Sequence, residues 1–283
     1  MVLSMIDCHM HMVLDGQYWK TAIERHRQAP AEAYIRQVLE TYRTLGYTYL
    51  RDGGDRWGVG KKARELAAPM GITYRTPLSP LCKAGCYGAF IGECFQNEKE
   101  FARLAEKQKK NGADFIKIMI SGLMDFDAPG KLMQTGPEEQ EIAYMIAISK
   151  DLGMTVMAHC NGSKAAIAAA NAGVDSIEHG AYLTEEALQA MAQANVVWVP
   201  TLSTIGNLLG KGRYPDRGVE EILEGALANV KAYQQMGGLV ACGSDAGAWA
   251  VPHGCETEMG WLHKAGLCDA DIQMGNEEIK KRF

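Results

Sequence analysis

The chain has 283 residues, 47% of them hydrophobic, which is enough apolar material for a core in one domain or two small ones. Its net charge of -5 and isoelectric point near 5.8 argue against a nucleic-acid or anionic membrane surface, because phosphate repels acidic proteins. No apolar run is long enough to span a bilayer, no secretion signal follows Met1, and the eight cysteines are scattered. We therefore expect a cytoplasmic protein with reduced thiols that acts on a small-molecule partner, as a monomer or a homo-oligomer.

Segments of strand-like composition alternate with helical segments along almost the whole chain. The candidate strands are residues 3–6, 48–51, 72–76, 115–120, 155–159, 176–178, 196–200 and 239–242. Helical periodicity and capping signals predict helices at residues 31–44, 98–111, 137–151, 163–172, 184–194 and 219–236. This alternation predicts a parallel sheet, and eight units fit a single-domain α/β protein, a (β/α)8 TIM barrel over residues 1–283. A doubly wound sheet is the alternative, although no glycine-rich dinucleotide turn follows the first strand.

Two histidines separated by one residue, His9 and His11, follow the first candidate strand. Side chains two apart on a strand point to the same side, so the two imidazoles could chelate one cation. A His-x-His pair also occurs by chance, and by itself it does not establish a metal site. Four later strands each end in one further potential ligand, namely Lys117, His159, His179 and Asp245. Because catalytic groups of TIM barrels collect at the C-terminal ends of the strands, we expect all six to converge on one cavity.

The candidate ligands lie in five short segments, residues 7–11 (DCHMH), 115–119 (FIKIM), 158–159 (AH), 176–180 (SIEHG) and 243–247 (GSDAG). These segments, in this order, resemble the motifs of the amidohydrolase superfamily, and more narrowly those of its imidazolonepropionase and Xaa-Pro dipeptidase-like branch. Most members of this branch carry a β-sandwich segment before and after the barrel, whereas here the first candidate ligand is already His9 and only a short stretch follows the last motif. We therefore expect a compact, barrel-only form.

The resemblance implies a centre of two divalent metal ions, usually zinc. The implied ligands are His9, His11 and Asp245 for one ion and His159 and His179 for the other. Lys117 would bridge the two ions after carboxylation by CO2, since a carbamate offers two oxygen donors whereas an ammonium offers none. The alternative for Lys117 is a strand-end lysine that forms an ion pair with Asp245 or Glu178.

At such a centre, a hydroxide held between the ions would attack a polarised carbonyl, and Asp245 would act as the general acid and base. The predicted function is therefore hydrolysis of an amide or related C–N bond in a small amide, a dipeptide or a cyclic amide. A lactonase or phosphotriesterase-like hydrolase is the nearest alternative, and a catalytically silent metal- or ligand-binding barrel is one of another class. Deamination also suits the barrel, but deaminating members generally use one metal and do not need Lys117.

Loops after the strand ends supply candidate substrate contacts, among which we select Arg51, Tyr182 and His253. Each has a structural alternative: an ion pair with Asp52 for Arg51, core packing for Tyr182, and a hydrogen-bonded loop position for His253. The further candidates near the strand ends are Tyr18, Trp19, Asp52, Arg56, Ser121, Asn161, Thr201, Arg213 and Trp249.

Overall fold

The computed structural model describes residues 5–283, which form a ring of parallel strands surrounded by helices. The strands are β1 Met5–Met10, β2 Tyr47–Asp52, β3 Thr73–Arg75, β4 Leu81–Lys83, β5 Glu93–Phe95, β6 Ile116–Met119, β7 Val156–Cys160, β8 Ser176–His179, β9 Val197–Val199 and β10 Leu239–Val240. The helices are α1 Trp19–Glu24, α2 Glu32–Thr44, α3 Val59–Ala67, α4 Glu98–Lys110, α5 Glu139–Asp151, α6 Ser163–Asn171, α7 Glu185–Gln193, α8 Ser203–Gly206, α9 Asp216–Gln235, α10 Thr257–Lys264 and α11 Asp269–Arg282, with a short 3₁₀ turn at Ala68–Met70.

Two groups of hydrogen-bonded strands make up the ring. One has the order β1-β2-β3, and the other has the order β10-β9-β8-β7-β6-β4-β5. The two groups meet at two places. At the first, between the end of β3 and the start of β6, the backbone N–H of Asp114 donates to the carbonyl of Thr76 at 3.0 Å. At the second, between β1 and the segment after β10, the backbone N–H of Cys8 donates to the carbonyl of Cys242 at 2.9 Å. The prediction of an α/β TIM barrel is confirmed, with its third strand position shared between β3 and β4.

Several elements differ from the sequence prediction. Strands β4 and β5 and helices α1, α3 and α8 were not predicted, and two helices, α10 and α11, occupy the C-terminal stretch. The new strands have only three residues each, too few to show an alternating pattern. Residues 3 and 4 of the first predicted strand lie outside the described residues. Within residues 5–283, none of the helices combines the length and apolar character needed to cross a bilayer.

Helix α4 shows how local sequence sets these boundaries. The side chain of Asn97 accepts a hydrogen bond from the backbone N–H of Glu100 and so caps the first turn. Acidic residues occupy the first turn and lysines the last, as the helix dipole favours. Phe101 and Leu104 on its inner face are buried against the barrel. The lysines at residues 107, 109 and 110 therefore belong to the end of a surface helix.

The direction of the strand side chains separates the core from the interior of the barrel. Ile116 and Ile118 of β6 pack in the large cluster between the strands and the helices. Side chains alternate along a strand, so Lys117 between them faces the inside of the barrel. The same argument applies to His159, which lies between Ala158 and Cys160 of that cluster. The core thus fixes which polar side chains enter the central cavity.

Candidate metal centre

His9, His11 and Asp245 form one compact group at the mouth of the barrel. Nε2 of His9 and Nε2 of His11 are 3.4 Å apart, and they lie 3.5 Å and 3.3 Å from Oδ1 of Asp245. All three residues are buried, and their potential ligand atoms lie within 4.8 Å of one another. Three donors that converge on one point are the arrangement a divalent cation needs.

His159 and His179 form the neighbouring pair. Their ring centroids are 4.5 Å apart, and the ring of His179 lies 5.1 Å from that of His9. Nδ1 of His179 pairs with the hydroxyl oxygen of Thr201 at 2.7 Å, which leaves Nε2 of His179 available to another partner. The structure therefore brings both predicted ligand groups to one cavity.

Lys117 reaches into the same cavity from β6. It is 1% exposed, and its Nζ has no hydrogen-bond or ion-pair partner among residues 5–283. The alternative of an ion pair with Asp245 or Glu178 is therefore not what the described residues show. Burial lowers the pKa of Lys117 to about 8, although the negative charges of Glu178 and Asp245 act in the opposite direction. Burial thus favours the neutral amine, the form that can react with CO2.

Burial also controls the charge of the surrounding histidines. It lowers the pKa of His11 and His159 to about 3, and the positive charge of Lys117 contributes in the same direction. The pKa values of His9 and His179 lie well below the usual range for the same leading reason. All four imidazoles are therefore neutral near pH 7, which is the form that donates a lone pair to a metal.

Glu178 orients His9 from behind. Its Oε2 lies 2.7 Å from Nδ1 of His9, and its carboxylate accepts from Arg51 at 2.9 Å and from Ser176 at 2.5 Å. A carboxylate at Nδ1 keeps the proton there and leaves Nε2 as the acceptor that faces Asp245. Arg51 also donates to the carbonyl of Cys8 at 2.6 Å, so this network is anchored in the first strand.

Asp7 joins the two chain segments that carry His9 and Asp245. Its carboxylate accepts from the backbone N–H and the hydroxyl of Ser244 at 2.9 Å and 2.6 Å and from the N–H of His9 at 3.1 Å. Burial raises the pKa of Asp7 to about 6, while the hydrogen bonds from Ser244 lower it. Asp7 therefore sets the spacing between the strand-end loops.

Unusual backbone geometry is concentrated at this point. His179, Thr201 and Asp245 have φ values of 71°, 49° and 56°, a region that non-glycine residues seldom adopt. Gly53 packs so closely that a Cβ added there would lie 2.1 Å from Cε1 of His11. The left-handed backbone conformation of His179, Thr201 and Asp245 costs free energy, and such strain is typical of functional sites.

The residues fit a metal centre by their chemistry as well as by their geometry. Oδ1 of Asp245 and Nζ of Lys117 are buried and have no hydrogen-bond partner among the described residues. Burial raises the pKa of Asp245 to about 8, while the charge of Lys117 opposes that shift. Neutral imidazoles and a carboxylate are the donors that zinc and similar ions prefer, and a cation would satisfy the unpartnered oxygen.

A cavity of about 400 Å³ opens directly above the centre, and His11, Lys117, His159, His179 and Asp245 lie in its wall. The rest of the wall is mainly aromatic and aliphatic. These residues are Leu14, Trp19, Tyr87, Phe90, Ile91, Met119, Leu123, Met124, Phe126, Met133, Leu208, Tyr214, Ala248 and Trp249. Asn161 and Arg213 are among its few other polar members. A cavity of this size fits a small organic molecule.

The three selected substrate contacts lie elsewhere. Arg51 is fully buried in the barrel interior, where its partner is Glu178 rather than the expected Asp52. Tyr182 is half-buried against the core. His253 is bound by its Nε2 to the carbonyl of Leu14 at 2.9 Å. None of the three belongs to the wall of the cavity, so we assign no substrate contact to them.

Four of the further loop candidates do line the cavity, namely Trp19, Asn161, Arg213 and Trp249. Sequence reasoning missed Tyr87 and Phe90, which come from the loop between β4 and β5, and also the supporting roles of Asp7 and Glu178. The sequence positions of Asp7 and Glu178 could have indicated their supporting roles. Asp7 lies two residues before His9 and Glu178 directly before His179, inside the recognised motifs.

The family model of the Amidohydrolase family matches residues 1–263. The chain therefore belongs to this family, and the resemblance found in its motifs is confirmed. Ochratoxinase from Aspergillus niger is 26% identical over 274 residues, which cover 84% of this chain and 56% of that protein. An uncharacterised protein of Mycobacterium tuberculosis is 24% identical over 278 residues, which cover 93% of this chain and 69% of the relative. The chain thus spans little more than half the length of ochratoxinase.

Solved structures share the fold. A Xaa-Pro dipeptidase with methionine bound in its active site superimposes with a TM-score of 0.78 at 21% identity, over 98% of this chain and 75% of that one. The crystal structure of A. niger ochratoxinase superimposes with a TM-score of 0.76 at 21% identity, over 99% of this chain and 69% of that one. At these identities the likeness establishes the barrel fold.

Proposed function

We propose that this chain is a metal-dependent hydrolase that cleaves an amide or related C–N bond of a small molecule. The observation that carries the proposal is the convergence of His9, His11 and Asp245 within 4.8 Å, beside the unpartnered Nζ of Lys117. Membership of the Amidohydrolase family supports the same class of reaction. So do the names of the similar proteins, a Xaa-Pro dipeptidase and ochratoxinase.

The proposed centre holds two divalent ions, with zinc as the first candidate. His9, His11 and Asp245 would bind one ion, and His159 and His179 would bind the other. Carboxylated Lys117 would be shared by both, because its unpartnered Nζ belongs to a side chain in the same cavity wall as His11, His159, His179 and Asp245. Bound metal would supply the Lewis acidity that activates water and polarises a carbonyl near neutral pH.

Asp245 is the proposed proton carrier. Its side chain lies in the cavity wall, and Oδ1 is free of hydrogen bonds from the described residues. From this position the carboxylate can accept the proton of a water molecule and pass it to the leaving nitrogen. Proton transfer to that nitrogen makes it a better leaving group, which is the harder half of amide hydrolysis.

The wall of the cavity supports a proposal about the substrate class. Flat apolar surfaces above the centre are provided by Trp19, Phe90, Phe126 and Trp249. The rings of Trp19 and Phe90 meet edge to face, with their centroids 5.5 Å apart. Burying an aromatic or branched aliphatic group among them is favourable by roughly 25 cal/mol per Å² of apolar surface. We therefore propose amides with a bulky apolar substituent as the preferred substrates.

The test measures metal content, carbamate and activity together. Protein purified with zinc and 13C-labelled bicarbonate should contain about two metal ions per chain, as binuclear sites do. It should also show a carbamate carbon signal. Lys117→Ala should lose the signal and much of the metal, whereas Lys164→Ala, which removes an exposed lysine from α6, should lose neither.

Activity should be assayed on panels of amides, lactones and phosphotriesters with matched apolar groups. Turnover confined to the amide panel would support the proposal. Higher activity on lactones or phosphotriesters would contradict the amide assignment. One metal ion per chain that is insensitive to Lys117→Ala would overturn the binuclear centre.

A further inference from the structure

Cys82 and Cys94 face each other across two neighbouring strands. They are register partners in the parallel pair β4 and β5, and their sulfur atoms are 3.0 Å apart. Adjacent strands are separated by about 4.8 Å, which falls within the Cα spacing of ordinary disulfides. An S–S bond of about 2.05 Å requires the sulfurs to approach by only about 1 Å.

We propose that Cys82 and Cys94 are a modification site at which a peroxide forms a reversible disulfide. All eight cysteines are free thiols in the structure, and these two need almost no backbone movement to join. The inference is independent of the proposed hydrolase function, because neither cysteine lies in the wall of the central cavity.

The exposure of the two thiols sets the order of the steps. Cys94 is exposed, whereas Cys82 is buried, and burial raises the pKa of the Cys82 thiol. Peroxide therefore oxidises Cys94 first, giving a sulfenic acid and one water molecule. The sulfur of Cys82 then attacks the Cys94 sulfur, the S–OH bond breaks, and the departing hydroxide takes the thiol proton as a second water molecule. A dithiol reductant returns both thiols.

The position of the pair gives the disulfide a structural effect. β4 and β5 are the two ends of the loop of residues 84–92, which carries Tyr87, Phe90 and Ile91 into the cavity wall. The ring of Tyr87 lies 4.8 Å from that of His159. A covalent bond between the ends of this loop restricts its opening. Backbone amides of residues 84–92 should therefore exchange hydrogen more slowly in the oxidised protein.

Cys86 is the competing partner, because it lies in the same loop and is partly exposed. Trypsin cleaves after Lys83 and Lys99, so Cys86 and Cys94 share one peptide, residues 84–99, while Cys82 lies in residues 76–83. Variants are therefore needed to assign the bond. Cys94→Ser removes the proposed partner at an exposed position, and Cys86→Ser is the matched control.

The experiment treats the full chain with hydrogen peroxide, blocks the remaining thiols and maps the tryptic peptides. Linked peptides 76–83 and 84–99 should form in the parent and in Cys86→Ser, disappear after reduction and be missing in Cys94→Ser. Loss of the link in Cys86→Ser, or its persistence in Cys94→Ser, would assign the bond to Cys86 and overturn the proposal. A dimedone adduct on Cys94 without any linked peptide would also overturn it.

Discussion

Glu178 and His9 form the contact that connects the barrel interior to the proposed metal centre. The 2.7 Å separation between Oε2 of Glu178 and Nδ1 of His9 turns the other nitrogen of the imidazole towards Asp245. Arg51 holds the same carboxylate from the opposite side, and both of these side chains are fully buried. The orientation of a ligand at the mouth is thus determined by a charged pair in the interior.

Glu178→Gln should weaken metal binding without removing any proposed ligand. The neutral amide cannot hold the Nδ1 proton of His9 as firmly, and loss of such a supporting contact typically costs about 10- to 100-fold in affinity. Zinc titration against a chelator measures the change. Glu185→Gln on the surface of α7 is the control and should bind zinc like the parent. Equal affinity in both variants would contradict the orienting role.

Gly53→Ala tests how closely the backbone packs on His11. The added methyl carbon would lie 2.1 Å from Cε1 of His11, so the ring has to move. A displacement of about 1 Å in a reacting group can cost about 100-fold in rate, and we expect a loss of that order in kcat/KM. Gly225→Ala in α9 meets no atom within 4 Å, so it should keep full activity. Full activity of Gly53→Ala would show that His11 tolerates displacement.

Asp245→Asn separates metal binding from proton transfer. The amide oxygen can still act as a ligand, whereas it cannot carry a proton between water and the leaving nitrogen. We expect the metal content to remain near that of the parent and kcat to fall by about 100- to 10,000-fold. Metal analysis and steady-state kinetics on the same preparation provide the measurement. A parent-like kcat would exclude Asp245 as the general acid and base.

Arg213 is expected to bind an anionic group of the substrate. It lies in the cavity wall, and its guanidinium carbon lies 4.5 Å from the ring centroid of Trp249. It has no ion-pair partner among residues 5–283. Arg213→Ala should raise KM about 10- to 100-fold for an amide with a free carboxylate, as loss of a charged hydrogen bond predicts. KM for the corresponding neutral amide should change little.

Two comparisons make this prediction specific. Arg217→Ala removes an exposed arginine four residues further along the chain, in α9, and should leave both KM values unchanged. An equal rise in KM for the charged and the neutral substrate would instead assign Arg213 a packing role.

We expect the ionisation of Glu258 to make the free energy of unfolding depend on pH. It is buried and accepts hydrogen bonds from the backbone N–H groups of Leu202 and Ser203 at 2.9 Å and 2.7 Å. Burial raises its pKa from 4.5 to about 7, although the hydrogen bonds from Ser203 lower it. The folded state therefore binds the proton more tightly than the unfolded state, so this residue lowers stability as the pH rises from about 4.5 to about 7.

Glu258→Gln should remove that dependence. The parent should lose roughly 3 kcal/mol more than the variant in the free energy of unfolding between pH 4.5 and pH 7. Urea denaturation at a series of pH values measures the difference between the two proteins. Parallel pH profiles would show that the ionisation of Glu258 does not contribute.

The alternation of strands and helices and the spacing of short motifs were enough to predict the barrel. His9 and His11 illustrate the reason: residues two apart on a strand share a side whatever the rest of the chain does. Lys117 and His159 could be placed similarly, because each is flanked by apolar residues that must face the helices. Local periodicity thus determines the fold class and the residues that point into the barrel.

Only the tertiary structure decided which groups meet inside the barrel and at its mouth. The carboxylate of Glu178 contacts a histidine 169 residues away, and Arg51 is drawn into the interior instead of the mouth. Tyr87 and Phe90 enter the cavity from a loop between two three-residue strands that have no readable pattern. These contacts depend on closure of the ring, which places residues that are distant in sequence within a few ångströms. The sequence by itself therefore determined the barrel and its inward-facing candidate ligands, whereas packing in three dimensions decided their orientation, their charge and the shape of the cavity.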